Sequence, residues 1–474
     1  MNPDAFPAHR LLREPQLLFD PERRESDVHP LRGLVRFGPF STALLGPVLR
    51  EIRVGAVVPS GDESVVGNLI GELARAHRPR ERMQYLPRFP GIRAVFGVDV
   101  RFSAVLPLPP GVDAEVRSAD RPHLALANRL GEAVSALAAR RTEFDVLVLY
   151  LPTRWERGFY GGPGEDFDLH DFLKAVTASQ GIPSQVLLQS KAIEYPCRCS
   201  VAWRLGIALY VKSGGVPWKI ADASPETAFV GLSYALRGNG EEPRFVTCCS
   251  QVFDADGAGL EFIAYEMDRG DVAFRGENPY LSRDQMRAVM ARSLALYQQR
   301  HGGRVPRRVV VHKTTEFRPA EREGSFDAWG AVDRVDLIQI QQDTPWRSLK
   351  MVENPQTHRG RADRWPVERG TMLHLGGQDV LLWTQGDAPS AAEGGHFFKE
   401  GRGIPRPLLL RRFAGDGPAD EFSRDVLALT KMNWNNDALY DLLPTTLEYA
   451  STLARVIRRM PQLAPRPYPF RLFM

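Results

Sequence analysis

The stretch FDVLVLYLP (144–152) is apolar at almost every position, and EIRVGAVVP (51–59) comes close to the same pattern. Both predict buried strands. Between and after them the apolar residues recur at helical spacing, in GNLIGELARAH (67–77), in 120–140 and in CSVAWRLGIALYVK (199–212), the last closed by Gly214 and Gly215. RWERGFYGGPGEDFD (154–168) reads as a loop, Asp168 as the N-cap of a helix over 169–180 that Gly181 ends, and PSQVLLQ (183–189) as the next strand. Strands alternating with helices predict a parallel, Rossmann-like α/β sheet, with ligands held beyond the strand ends at helix starts.

The pattern changes after VPWKIAD (216–222). TAFVGLSYA (227–235), RFVTCCSQVF (244–253) and LEFIAYEM (260–267) predict three strands at meander spacing. A helix over 282–300, strands RRVVVHKT (307–314) and VDLIQIQ (335–341), and a closing helix over 442–460 follow, with the tail APRPYPFRLFM after them. Three strands, a helix and a further strand are the order of an RNase H-like fold, though other α+β folds share it. The change of pattern puts the domain boundary near residue 220.

Composition narrows this only a little. At 474 residues, 43% hydrophobic and 25% charged, the chain has the size and make-up of two globular domains. No apolar run reaches membrane-spanning length, and the N-terminus lacks the apolar core of a signal peptide. Cys197, Cys199, Cys248 and Cys249 have no zinc spacing and read as reduced thiols of a cytoplasmic protein. The net charge of +4 allows a polyanionic partner without requiring one. Of 61 basic residues only eight are lysine, and none precedes Lys174. The surviving lysines are candidates for sites that want a compact point charge.

Lys174 stands in HDFLKAVTASQGIPSQ (170–185), one helical turn after His170 and ahead of Gln185. His170 falls in the first turn of its helix, where free N–H groups and the helix dipole favour an anion. The same face also reads as an ordinary exposed helix surface.

HPLRGLVRFGPF (29–40), GIPSQ (181–185), LYVKSGGVPWKI (209–220), VHKTTEF (311–317), LTKMNWNN (429–436) and LPTTLEYASTLA (443–454) run through most of the chain. With these motifs the sequence resembles the short prokaryotic Argonautes. The resemblance implies a Rossmann-like MID domain with an N-terminal extension over 1–220 and an RNase H-like PIWI domain over 221–474, without the N-terminal and PAZ domains of long relatives. It implies that His170, Lys174, Gln185 and Lys212 hold the 5′-phosphate of a guide strand. In that role Lys174 and Lys212 neutralise the phosphate, Gln185 hydrogen-bonds it or the first linkage, and His170 stacks on the first base or touches the phosphate. It also implies a Mg²⁺ ion at the phosphate, held by Gln185 and a C-terminal carboxylate at Met474.

Slicing in this family is two-metal hydrolysis and needs converging carboxylates. Ser233, Thr314 and Ser451 stand where the acids of active relatives would be, and Lys313 precedes Thr314. The expectation is a PIWI domain without catalysis of its own. Asp333 and Asp336 read as a solvated strand edge. The resemblance further implies an RNA guide, a single-stranded DNA target, and a separate APAZ-bearing effector chain. That chain would be sirtuin-like or TIR and NAD-hydrolysing rather than a nuclease, in prokaryotic antiviral defence. No G-x-G-x-x-G marks an NAD site in this chain. Two alternatives stay open: a slicer with displaced carboxylates, and a Rossmann-like transferase with Lys174 and Lys212 on a diphosphate.

Overall fold

The structure is a computed structural model of the chain. It describes residues 9–42, 49–222, 226–237, 245–254, 259–267, 272–276, 278–354, 356–357, 359–398, 403–460, 463 and 466–474.

In the first half, four strands form a parallel sheet in the order Asp99–Leu108, Glu51–Pro59, Val146–Leu151, Ser184–Leu188. The run VLVLYL is buried at every position because the sheet is covered on both sides: Val146, Val148 and Tyr150 enter one core, and Leu147, Leu149 and Leu151 the other. Helices Pro122–Ala138, Leu169–Ser179 and Arg198–Lys212 supply the covering layers. The helix predicted over 67–77 runs Glu63–Glu72, since His77 instead forms a bridge with Phe89 and Leu73 accepts from Ile92. The segment 154–168 opens with a 3₁₀ turn at Thr153–Gly158 before becoming a loop.

In the second half the meander Thr227–Arg237, Phe245–Phe253, Gly259–Met267 is antiparallel. Arg308–Lys313 then pairs parallel with Thr227–Arg237, and Arg334–Gln341 pairs parallel with Arg308–Lys313. This is RNase H-like strand order. Leu408–Ala414, Asp379–Leu382 and Thr371–Gly376 extend the same sheet, which reaches ten strands with Pro467–Pro469 at one edge and His9–Leu11 at the other. Cys248 and Cys249 lie on the second meander strand, and their side chains lie outside the described residues; Cys197 and Cys199 are buried free thiols.

Two features position the site. The closing helix Thr445–Arg459 lies against Thr227–Arg237 so closely that a Cβ on Gly231 would come within 2.0 Å of the Thr446 carbonyl oxygen, and His312 Nδ1 meets Thr446 Oγ1 at 2.8 Å. The N-terminal segment crosses between the halves. His9–Leu11 pairs with Thr371–Leu373, and Leu17–Leu18 pairs with Lys219–Ile220. Beside them the part-buried Glu14 carboxylate takes hydrogen bonds from Arg369 (3.0 Å) and Lys431 (2.9 Å). Burial alone would raise the Glu14 pKa, and these two cations hold it below the usual value.

Asp336 does not lie on a solvated edge. It is 1% exposed on an interior strand and accepts from Arg308 Nε at 2.7 Å; Asp333, outside the strand, pairs with Arg307 at 3.1 Å. The strand Leu408–Ala414 covers the edge that the sequence pattern leaves open.

Candidate functional site

Asp168 has extended backbone, and its carboxylate accepts from the N–H groups of His170 (2.8 Å) and Asp171 (3.3 Å), which starts the helix Leu169–Ser179. Gly181, at φ 68°, turns the chain back. A 2.9 Å hydrogen bond between Thr177 Oγ1 and Ser184 Oγ then sets the returning strand against the helix. This brings Ser184, and with it the start of the strand that carries Gln185, to the side chain of Lys174. Lys212 arrives as the last residue of the apolar helix Arg198–Lys212, and its Nζ donates to Gln185 Oε1. Lys174 Nζ donates to an oxygen of Met474 and weakly to the Ser184 carbonyl at 3.4 Å. Leu472, Phe473 and Met474 are all buried, with Tyr468 packed edge-on against Phe473.

The electrostatics are unusual. Lys174 is 3% exposed and Lys212 1%. Among the described residues neither forms an ion pair with an Asp or Glu side chain. Burial pushes Lys174 down from 10.5 to about 8, with Asp171 and the neighbouring Lys212 amine partly opposing the shift. Burial and the charge on Lys174 push Lys212 well below its ordinary value. Two adjacent buried amines without an Asp or Glu partner can receive an anion: a phosphate arriving there would restore the protons that burial disfavours.

His170 does not join this inner group. Its side chain is half exposed at the rim, with Nδ1 3.7 Å from Asp171 Oδ1. There it lines, with Gln185, Lys191, Arg204 and Asn435, a cleft of about 270 Å³ whose lining includes neither Lys174 nor Lys212. Arg204 Nη2 is buried without a hydrogen-bond partner, and its guanidinium lies 4.9 Å from the Tyr195 ring centroid. Sequence reasoning missed Lys191, Arg204 and Asn435. Only Asn435 had a signal, its place in LTKMNWNN, while Arg204 was a lone basic residue in an apolar helix.

Asp168, His170 and Asp171 also present ligand atoms within 4.8 Å of one another, the one such group among the described residues. Its carboxylates are already engaged. Asp168 caps the helix, and Asp171 takes hydrogen bonds from Arg455 (3.1 Å) and Arg459 of the closing helix. Burial opposes ionisation of Asp171, but His170 and these arginines hold it down to about 2. As for Mg²⁺, the pocket offers the oxygens of Gln185 and Met474, each facing a lysine amine. That donor set suits a hard cation only when phosphate oxygens and water complete the shell.

Ser233 and Thr314 fall near the end of the strand Arg308–Lys313, and Ser451 lies on the closing helix. Lys313 lies opposite Leu232, so Thr314 follows beside Ser233. Thr314 is exposed, Ser233 half-buried, and Ser451 sits on the outer face of the closing helix. Lys313 does not project toward this centre as a repelling charge. Its amine is buried in an ion pair with Glu321, whose Oε2 accepts from Arg318 N at 2.9 Å.

This is the fold of Argonaute MID and PIWI domains. The structure matches that of Clostridium butyricum Argonaute bound to a guide DNA and a 19-mer target DNA, with a TM-score of 0.67 at 16% identity over 99% of this chain and 55% of that one. Structures of Aa-Ago with externally bound siRNA and of Aquifex aeolicus Argonaute match with TM-scores of 0.63 and 0.61 at 15% identity, over 98% and 99% of this chain and 56% and 57% of those. The chain thus spans little more than half the length of these proteins. At such identity the likeness is one of fold. The sequence matches no protein-family model and no curated protein. No described helix is long and apolar enough to cross a membrane.

Proposed function

We propose that this chain is a guide-directed nucleic-acid sensor that holds the 5′-phosphate of a short guide and does not cut the paired target. The observation that carries the reading is the juxtaposition of Lys174, Lys212 and Gln185: two buried amines with no Asp or Glu ion partner among the described residues, arranged around an amide. A terminal phosphate carries close to two negative charges and three acceptor oxygens, which is what this receptor lacks. The cleft bearing His170, Arg204 and Asn435 offers the first nucleotide a place to leave the pocket. The reading takes the guide as RNA and the target as single-stranded DNA, with Mg²⁺ joining Gln185 and Met474 to the bound phosphate.

The absence of cutting is supported by Ser233, Thr314 and Ser451, neutral hydroxyls at positions where two divalent ions would need carboxylates. Catalysis then belongs to a second, APAZ-bearing chain, which the reading takes to be an NAD-hydrolysing effector released when target pairs with guide.

The test is a competition between 5′-phosphorylated and 5′-hydroxyl RNA of one sequence for the purified protein, measured by fluorescence anisotropy. The reading expects the phosphorylated strand to bind at least about tenfold tighter, the equivalent of one charge-assisted hydrogen bond. Equal binding would overturn it.

A further inference from the structure

After Gln341 the chain leaves the large sheet at the end where Thr314 sits. Lys313 pairs with Gln339 in the parallel register, and Gln339 Nε2 donates to the Thr314 carbonyl at 3.1 Å. The segment that follows forms an excursion before the chain re-enters the sheet at Thr371. Its centre is a two-stranded hairpin, Met351–Glu353 with Gly360–Ala362, in which every residue but Val352 is exposed. The hairpin adds nothing to any core cluster of buried residues. A protruding hairpin without an apolar face to bury is held out for something other than stability.

Its surface is rich in arginine. Arg347, Arg359, Arg361 and Arg364 are exposed, and among the described residues none of them pairs with a carboxylate. The acids between Gln341 and Thr371 are fewer than the basic residues: Asp343, Glu353, Asp363 and Glu368, of which Asp363 pairs with Lys350 at 3.6 Å. Arg359 immediately precedes the strand Gly360–Ala362 and Arg361 lies on it; two residues of extended chain span roughly 6.6 Å, a spacing that successive phosphates of one strand can follow. Apolar side chains interleave with the cations: Trp346 is 46% exposed and Met351 58%. Arg364 lies over the Trp365 ring at 5.3 Å, and Trp365 in turn stacks on His396 and fixes the base of the excursion. Arginines alternating with an exposed indole are a surface for a phosphodiester backbone with bases that can stack.

We infer that the arginine-rich hairpin at 347–364 binds the backbone of the second nucleic-acid strand where it passes the Ser233–Thr314 end of the sheet. The inference rests on the reading of the chain as a guide binder. Its charge complementarity favours a polyanion that extends across the surface, and the position at the strand ends places that polyanion on the target rather than at the guide's 5′ end.

The experiment replaces Arg359, Arg361 and Arg364 together by Ser, and in a second variant by Lys. Each full-length protein is loaded with a 5′-phosphorylated RNA, and binding of a complementary single-stranded DNA is followed over about 50–300 mM salt. The Ser variant should bind the guide as the parent does, bind the second strand more weakly, and give a log–log salt slope shallower by about 2, at roughly 0.7 per lost contact to a single strand. The Lys variant keeps the charge and should keep the parent slope. Unchanged slope and affinity in the Ser variant overturn the proposal, as they would if the hairpin served an acidic protein instead. If the Ser variant unfolds at lower temperature, the Lys variant decides: a slope as shallow as that of the Ser protein would also overturn it. Failure of the guide reading looks different, because the parent itself would then show no preference for a 5′-phosphate.

Discussion

Replacing Lys212 by Met should make the free protein more stable and its guide binding weaker. Lys212 is 1% exposed, and its amine meets the amide of Gln185 and the amine of Lys174. The displacement of Lys174 from 10.5 to about 8 corresponds to roughly 3 kcal/mol of destabilisation at neutral pH. Lys212 is pushed in the same direction by burial and by that neighbour. Met keeps the apolar stem and removes the amine. Against the relief stands one lost hydrogen bond to Gln185, roughly 1 kcal/mol, and Gln185 is only half-buried and can turn to water. The net expectation is a gain of roughly 1–3 kcal/mol, in line with other replacements of buried charge by apolar groups, and a rise in Tm of a few degrees. The same variant should lose roughly 1.5–3 kcal/mol of affinity for a 5′-phosphorylated guide, about 10- to 150-fold, and almost none for a 5′-hydroxyl guide. Thermal unfolding by scanning calorimetry and anisotropy titrations with the two guides give both numbers. A Tm several degrees lower, or equal losses for the two guides, would refute the argument that the pocket is a strained receptor for an anion.

Because Lys174 titrates near 8 when the pocket is empty, folding opposes its proton; the cost is fully present below about pH 8 and fades as pH rises toward 10.5. Phosphate binding should therefore take up protons at pH 8 and weaken above it, and calorimetry in buffers of different ionisation enthalpy will read the uptake. Gly231→Ala would set a methyl 2.0 Å from the Thr446 carbonyl, so the closing helix must shift; a loss of more than roughly 2 kcal/mol in denaturant unfolding is expected. Guide-loaded protein should leave a complementary strand intact in Mg²⁺ or Mn²⁺, and discrete products opposite the guide centre on a denaturing gel would contradict this. A few residues added after Met474 should lower affinity for a phosphorylated guide, since Met474 is buried against Lys174; unchanged Kd would remove Met474 from the pocket's account.

What could be read from the sequence was what short-range chemistry decides. Asp168 and Gly181 bound a helix on their own, and FDVLVLYLP could hardly be anything but a strand buried on both sides. The strand Asp99–Leu108 was not seen, because it is an edge strand with one wet face and its apolar residues alternate weakly. The strands Thr371–Gly376, Asp379–Leu382 and Leu408–Ala414 were missed too, and with them the reason Asp336 is buried. Within the site, Lys174 and Gln185 lie within one helix–turn–strand and were legible together. Arg204 and Lys191 reach the cleft only through the packing of one helix against a strand, which no local pattern records.

The strand His9–Leu11 has a bearing on how the molecule is made. Its hydrogen-bonding partners, Thr371–Leu373, follow it by roughly 360 residues, and at ~5–20 residues per second a ribosome needs ~20–70 s to supply them. Glu14 meets Arg369 after nearly the same interval and waits longer still for Lys431. Through that interval the beginning of the chain has neither its sheet edge nor its counter-ions, and the apolar Leu17 and Leu18 can at first pair only with Ser26–Asp27. Native closure of the first domain's border with the second is thus a late, long-range event, and the nascent chain carries an exposed edge for most of its synthesis. Expression at lower temperature or with chaperones should accordingly raise the soluble yield of the whole chain more than that of a fragment beginning near residue 49, which has no such strand waiting.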